Sequence, residues 1–111
     1  MEMQERTVGD VTVLDLKGKL LMGETDEALR QKIKDLSESG KTKILLNLSE
    51  VPYMDSAGLG GLVSCYTTVN NKKGKLKLVG LTSRLQDLLS ITKLLTVFET
   101  FDSEEDALKS Y

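Results

Sequence analysis

Residues 51–63, VPYMDSAGLGGLV, set an aspartate and a serine side by side, followed by a small residue and three glycines before an apolar run resumes. A serine in such a setting suggests a nucleophile, and glycines suggest a cradle for phosphates. The first cannot be completed from this chain alone, and the match to the second is weak. The chain has no histidine, so a Ser-His-Asp triad, a histidine general base and a His-ligated zinc cannot be built from this chain alone. A nucleophile elbow centred on Ser56 needs glycine at position 54, which is Met54. A dinucleotide fingerprint needs glycine at position 63, which is Val63, and no GK[ST] ending exists to make a phosphate loop. What remains is a helix entrance. Asp55 or Ser56 is a natural N-cap, accepting a hydrogen bond from a free amide of the first turn. Ala57, Gly58, Gly60 and Gly61 then leave that turn bare. Each helical glycine costs about 0.5–1 kcal/mol relative to alanine, so the bareness needs a reason. Either a partner approaches closely, or the helix packs tightly on a neighbouring element of the same domain.

The elements that position this stretch alternate between strand and helix. Residues 3–7 and 11–17 read as two strands joined by a tight Gly9-Asp10 turn. Leu29, Ile33 and Leu36 recur at helical spacing over 25–38, with Asp26 and Glu27 in the first turn and Gly40 as the stop. ILLNL, 44–48, is a nearly unbroken apolar run, expected for a mid-sheet parallel strand covered on both faces. A helix over 56–71 carries Leu59, Leu62, Val63, Tyr66 and Val69 on one stripe and closes at NNKKG. LKLVGL from 76 predicts another strand, Ser83 and Gln86 have capping-box spacing for a third helix, and VFETF, 97–101, predicts a last strand. Ser103, ahead of Glu104, Glu105 and Asp106, caps a short terminal helix. The pattern predicts an α/β fold with right-handed crossovers and a mostly parallel sheet. Loops 18–24, 49–56 and 80–83 should converge at the carboxyl edge of that sheet, where ligands and partners usually bind. Leu20, Leu21 and Met22 in the first loop either lie exposed beside Ser56 or fold back over the core. Tyr53 and Met54 are expected to anchor their loop in the core, with the interface as the alternative for Tyr53.

Length and composition bound the remaining choices. The 111 residues suit one domain spanning 1–111, and 40% apolar with 29% charged residues is ordinary globular composition. A net charge of −2 argues against nucleic acid as a partner. The polar start MEMQERTVGD is no signal peptide, and no apolar stretch is long enough to span a bilayer, so a cytoplasmic, membrane-free protein is expected. Cys65 is the single cysteine, expected to pack as a small hydrophobe. Lys72, Lys73, Lys75 and Lys77 read as a solvated basic turn.

The stretch MDSAGLGGL, after the strand ILLNL and before a helix, resembles the DS[ST]GLG signature of STAS domains, in particular bacterial anti-sigma factor antagonists. The resemblance covers nearly the whole chain. It implies a STAS-like single domain, with a mostly parallel sheet of four or five strands, an N-terminal hairpin and about four helices. It further implies that Ser56 is phosphorylated by a partner that is both anti-sigma factor and serine kinase. The unmodified form would bind that partner and free the sigma factor, and a serine phosphatase would reset the cycle. The partner-binding residues that follow are Leu21, Met22, Gly23, Asp55, Ser56, Ala57, Gly58, Gly60 and Gly61. No cofactor, metal or catalytic residue is implied, and a monomer or weak dimer is expected. Two departures stand out: Ala57 replaces a second hydroxyl after Ser56, and Leu21 occupies the place of a loop aspartate. A scaffold or accessory subunit of a signalling or transport complex, or a domain binding a nucleotide or other small ligand, are the alternatives to the switch.

Overall fold

The computed structural model describes residues 2–21 and 23–111. Strands β1 (Glu2–Val8) and β2 (Val11–Lys17) form the expected hairpin, with Gly9 supplying a left-handed φ of +63° at the turn. Helix α1 (Glu24–Glu38), strand β3 (Lys43–Glu50), helix α2 (Ser56–Asn71) and strand β4 (Lys75–Val79) follow. Helix α3 (Ser83–Ile91), a 3-10 turn (Leu94–Thr96), strand β5 (Thr100–Phe101) and helix α4 (Glu104–Lys109) complete the chain. The sheet order is β1-β2-β3-β4-β5, antiparallel only at the hairpin. Mid-sheet β3 is the apolar run ILLNL, and its continuity now has a cause. Ile44, Leu46 and Leu48 join the core beneath α1, α2 and α3, while Leu45 faces the opposite layer with Val11, Val13, Val79 and Ala107 of α4.

Three boundaries differ from the sequence expectation. Thr82, not Ser83, caps α3: its hydroxyl accepts the Leu85 N–H at 3.3 Å, and its carbonyl accepts the Gln86 N–H at 2.9 Å. The last strand is two residues rather than five. The Val97 amide closes the 3-10 turn on Leu94 O, and the Phe98 amide donates to the same oxygen while its ring enters the core edge-on to Tyr66 at 5.3 Å, so pairing with β4 begins only at Leu78–Thr100. LKLVGL stops at Val79 because Gly80 turns the chain at φ +75°. Lys77 departs furthest from expectation. It is 5% exposed and points away from Leu76 and Leu78, as strand alternation demands. Its ammonium donates to Ser110 O and Oγ at 2.9 Å, pairs with Glu99 at 2.8 Å and lies over the Tyr111 ring at 4.7 Å. It therefore holds the C-terminal segment on the sheet, and only Lys72, Lys73 and Lys75 form the exposed basic turn.

Candidate functional site

The β2–α1 and β3–α2 loops are stitched together by backbone bonds. Gly18 N–H donates to Glu50 O at 2.9 Å, Leu20 N–H to Tyr53 O at 3.0 Å, and Asp55 N–H to Leu20 O at 3.3 Å, with Leu20 and Met54 forming a parallel bridge. Leu20 and Met54 are both buried, so the first of the three apolar loop residues folds back over the core. Leu21 is half-buried, Gly23 is half-buried at the N-cap of α1, and Met22 lies outside the described residues. The third loop joins at Gly80, where a Cβ would stand 2.9 Å from Ser49 Cβ. The three loops do converge on one edge.

At that edge Asp55 is the cap of α2. Its extended backbone (φ −89°, ψ −177°) aims a carboxylate oxygen at the Gly58 N–H, 2.7 Å away. Its carbonyl accepts the Leu59 N–H at 2.9 Å, starting the helical ladder. Ser56 is thereby released from capping, and its side chain is exposed as the first helical residue. The positive end of the helix dipole lies beside this hydroxyl, with the Asp55 carboxylate already bonded to the Gly58 N–H.

The glycines divide into two kinds. A Cβ on Gly58 would collide with the carbonyl oxygen of Leu20, with the carbonyl carbon at 3.0 Å. One on Gly61 would collide with the Asp26 carboxylate of α1, whose Cγ lies at 3.1 Å. Both glycines are buried and both serve packing inside the domain. Gly60 is exposed and a Cβ there meets nothing within 4 Å, so its bareness has no internal cause; Ala57 beside Ser56 is half-buried. Sequence reasoning raised both explanations without assigning them, since the assignment depends on where Leu20 and Asp26 lie in space.

Further along α2, Cys65 is 1% exposed, and desolvation, with the Asp26 charge second, pushes its thiol up to about 12. It is a core residue and an unreactive one. Tyr53 departs from the expected core anchor: Val51 and Met54 on either side are buried, but its ring is 40% exposed. The Arg84 guanidinium of α3 sits 5.7 Å from the ring centroid, a long-range pairing that the sequence did not signal.

Fold and site together define a small α/β domain with an exposed hydroxyl at the entrance of a helix that the preceding aspartate caps. The STAS domain matches residues 2–107, and the chain belongs to that family. The anti-sigma-B factor antagonist of Listeria monocytogenes is 31% identical over 103 residues, covering 89% of this chain and 85% of the relative. That of Bacillus subtilis is 36% identical over 81 residues, covering 73% of each. A Thermotoga maritima protein proposed to be an anti-sigma factor antagonist has a crystal structure that superposes with a TM-score of 0.91 at 26% identity, covering 97% of this chain and 92% of that one. The Bacillus cell fate determinant SpoIIAA, solved in its phosphorylated form, superposes with a TM-score of 0.77 at 22% identity over 98% of each chain, a likeness of fold. Among the described residues, no helix is long and apolar enough to cross a membrane.

Proposed function

We propose that this protein is an anti-sigma factor antagonist switched by phosphorylation of Ser56. Unmodified, it docks its α2 entrance on a partner that is both anti-sigma factor and serine kinase, and so frees the sigma factor in the cytoplasm. The kinase then phosphorylates Ser56, docking ends, and a serine phosphatase restores the active form. Leu21, Gly23, Ala57 and Gly60 are assigned to the docking face with Ser56, as is Met22 on its place in the sequence alone, and Asp55, Gly58 and Gly61 fix the backbone that presents the hydroxyl. The observation that carries this reading is the exposure of Ser56 at the first position of α2, with the capping role taken by Asp55. The kinship to anti-sigma-B factor antagonists supports it. A nucleotide phosphate at the same entrance fares poorly, because the Asp55 carboxylate already occupies the Gly58 amide and would repel it. An enzymatic role is likewise unsupported, with no histidine in the chain and the one cysteine buried.

Phosphorylation adds about −1.5 to −2 charges and three acceptor oxygens to a surface matched to a neutral hydroxyl. Like-charge contact at an interface costs several kcal/mol, and about 2.8 kcal/mol is a hundredfold in affinity. The test is the affinity of Ser56→Ala and Ser56→Asp for the purified cognate anti-sigma factor kinase. The alanine variant should bind like the unmodified protein and the aspartate variant at least tenfold more weakly. Equal, tight binding by both overturns the charge mechanism.

A further inference from the structure

Near the loop that leads into Ser56, α3 carries a cation whose contact within the domain is one exposed aromatic ring. Arg84 stands in the first turn of α3, where the helix dipole opposes positive charge, and that turn has no acidic residue to compensate. Arg84 has no ion-pair partner among the described residues; its guanidinium meets only the exposed face of Tyr53. The Tyr53 ring is itself presented by a fixed backbone, its carbonyl bonded to Leu20 N–H and its neighbour Met54 bridged to Leu20. Seven residues on from Arg84, hence on the same helix face, Ile91 is 80% exposed, the most exposed large apolar side chain among the described residues. Tyrosine and arginine on a rigid base, with an apolar residue about 10 Å along the helix, have the composition of a protein-docking surface.

We infer that Tyr53, Arg84 and Ile91 form a second docking stripe that determines partner choice, and that it receives an acidic patch flanking an apolar hollow on the anti-sigma factor. This rests on the antagonist reading above and deepens it. Charge complementarity selects the occupant: an unpaired arginine calls for a carboxylate, and a partner acidic at this edge is the kind that a phosphate on Ser56 repels. The stripe thus supplies attraction to the same partner that the modification drives off.

The experiment measures binding of the purified anti-sigma factor kinase to wild type, Ser56→Asp, Arg84→Glu and Ile91→Ser, with thermal melts of each variant alone. Arg84→Glu removes a cation from the first turn and adds an anion there, so its melting temperature should hold or rise. Its affinity should fall at least tenfold, mainly through slower association, with a shallower dependence on salt than wild type. Ile91→Ser should weaken binding through faster dissociation without loss of stability. If Arg84→Glu and Ile91→Ser bind within twofold of wild type while Ser56→Asp does not bind, the stripe is overturned and the switch stands. Weaker binding that merely tracks a lowered melting temperature also overturns it. If wild type neither binds nor is phosphorylated, the antagonist reading itself falls, and the stripe with it.

Discussion

Two alanines placed two residues apart on α2 should change stability in opposite directions. At Gly60 a Cβ enters open space, so alanine acts only by reducing the freedom of the unfolded chain, a gain of about 0.5–1 kcal/mol. At Gly58 the same gain is set against a collision with the Leu20 carbonyl, whose carbon would lie 3.0 Å and whose side-chain Cγ 3.2 Å from the new methyl. That oxygen cannot turn aside, because it accepts the Asp55 N–H and its residue is bridged to Met54. Either α2 or the loop must shift. Overpacking of this kind costs about 1–3 kcal/mol, and losing the Asp55–Leu20 bond about 1 kcal/mol more. Gly58→Ala should therefore destabilise by about 1–3 kcal/mol net, leaving the two variants about 2–4 kcal/mol apart. At this size 1 kcal/mol moves the melting midpoint by roughly 4 °C, so urea titrations and melts followed by circular dichroism resolve the difference easily. Equal stabilities for the two variants would refute the claim that Leu20's approach is what requires glycine at 58. The pair also separates inner from outer roles, since Gly60→Ala should bind the anti-sigma factor more weakly while being the more stable protein.

Gly61→Ala meets a side chain rather than backbone and should cost about 1–2 kcal/mol; adding Asp26→Ala, which clears the collision, should recover at least half of it in a double-mutant cycle. Cys65, buried and with its thiol pushed up to about 12, should resist iodoacetamide at pH 8 until urea unfolds the domain, and rapid labelling without denaturant would contradict its placement. Asp15 is held below the ordinary carboxylate range chiefly by the Arg6 guanidinium, bonded at 2.6 and 3.0 Å, and further by Asn47 at 2.8 Å. A depressed native value means that the unfolded chain takes up the proton first as pH falls. This contribution is therefore complete above about pH 4 and fades below it. Asp15→Asn should be less stable at pH 7 and show a flatter decline below pH 4, and parallel pH curves for the two proteins would exclude Asp15 from the acid sensitivity.

What the sequence revealed and what it withheld follow from the range of the interactions involved. The Gly9-Asp10 hairpin, the central strand ILLNL and the α1 stripe of Leu29, Ile33 and Leu36 are local signals, and the structure keeps each of them. Family resemblance, resting on MDSAGLGGL, told more than periodicity, because nine adjacent residues specify a loop, a cap and a helix entrance at once. Misreadings arose where a tertiary partner decides. Thr82 displaced Ser83 as the cap by one position, a choice between neighbouring hydroxyls that spacing alone does not resolve. Phe98 belongs to the core beneath α2 rather than to a strand, since Tyr66 is there to receive it. Alternation in KLKLV already put Lys77 opposite Leu76 and Leu78, but its burial depends on Ser110, Glu99 and Tyr111 arriving from the far end of the chain. The cause of each glycine likewise lay in residues more than thirty positions away, Leu20 for Gly58 and Asp26 for Gly61.

That division of the glycines bears directly on how the switch can work. The entrance of α2 is fixed from within by the Asp55 cap, the Leu20–Met54 bridge and two close approaches that admit no side chain. A phosphate on exposed Ser56 touches none of these. The helix dipole favours it by about 0.3–1 kcal/mol, while repulsion between about −1.5 to −2 charges and an Asp55 carboxylate about 4 Å away in water is about 1.5–2 kcal/mol, so the net effect on the fold is on the order of 1 kcal/mol. At a docked surface the same charge is desolvated against a partner, where it costs several kcal/mol. The asymmetry between those magnitudes is what makes a rigid domain a good switch: modification changes the complex by far more than it changes the protein.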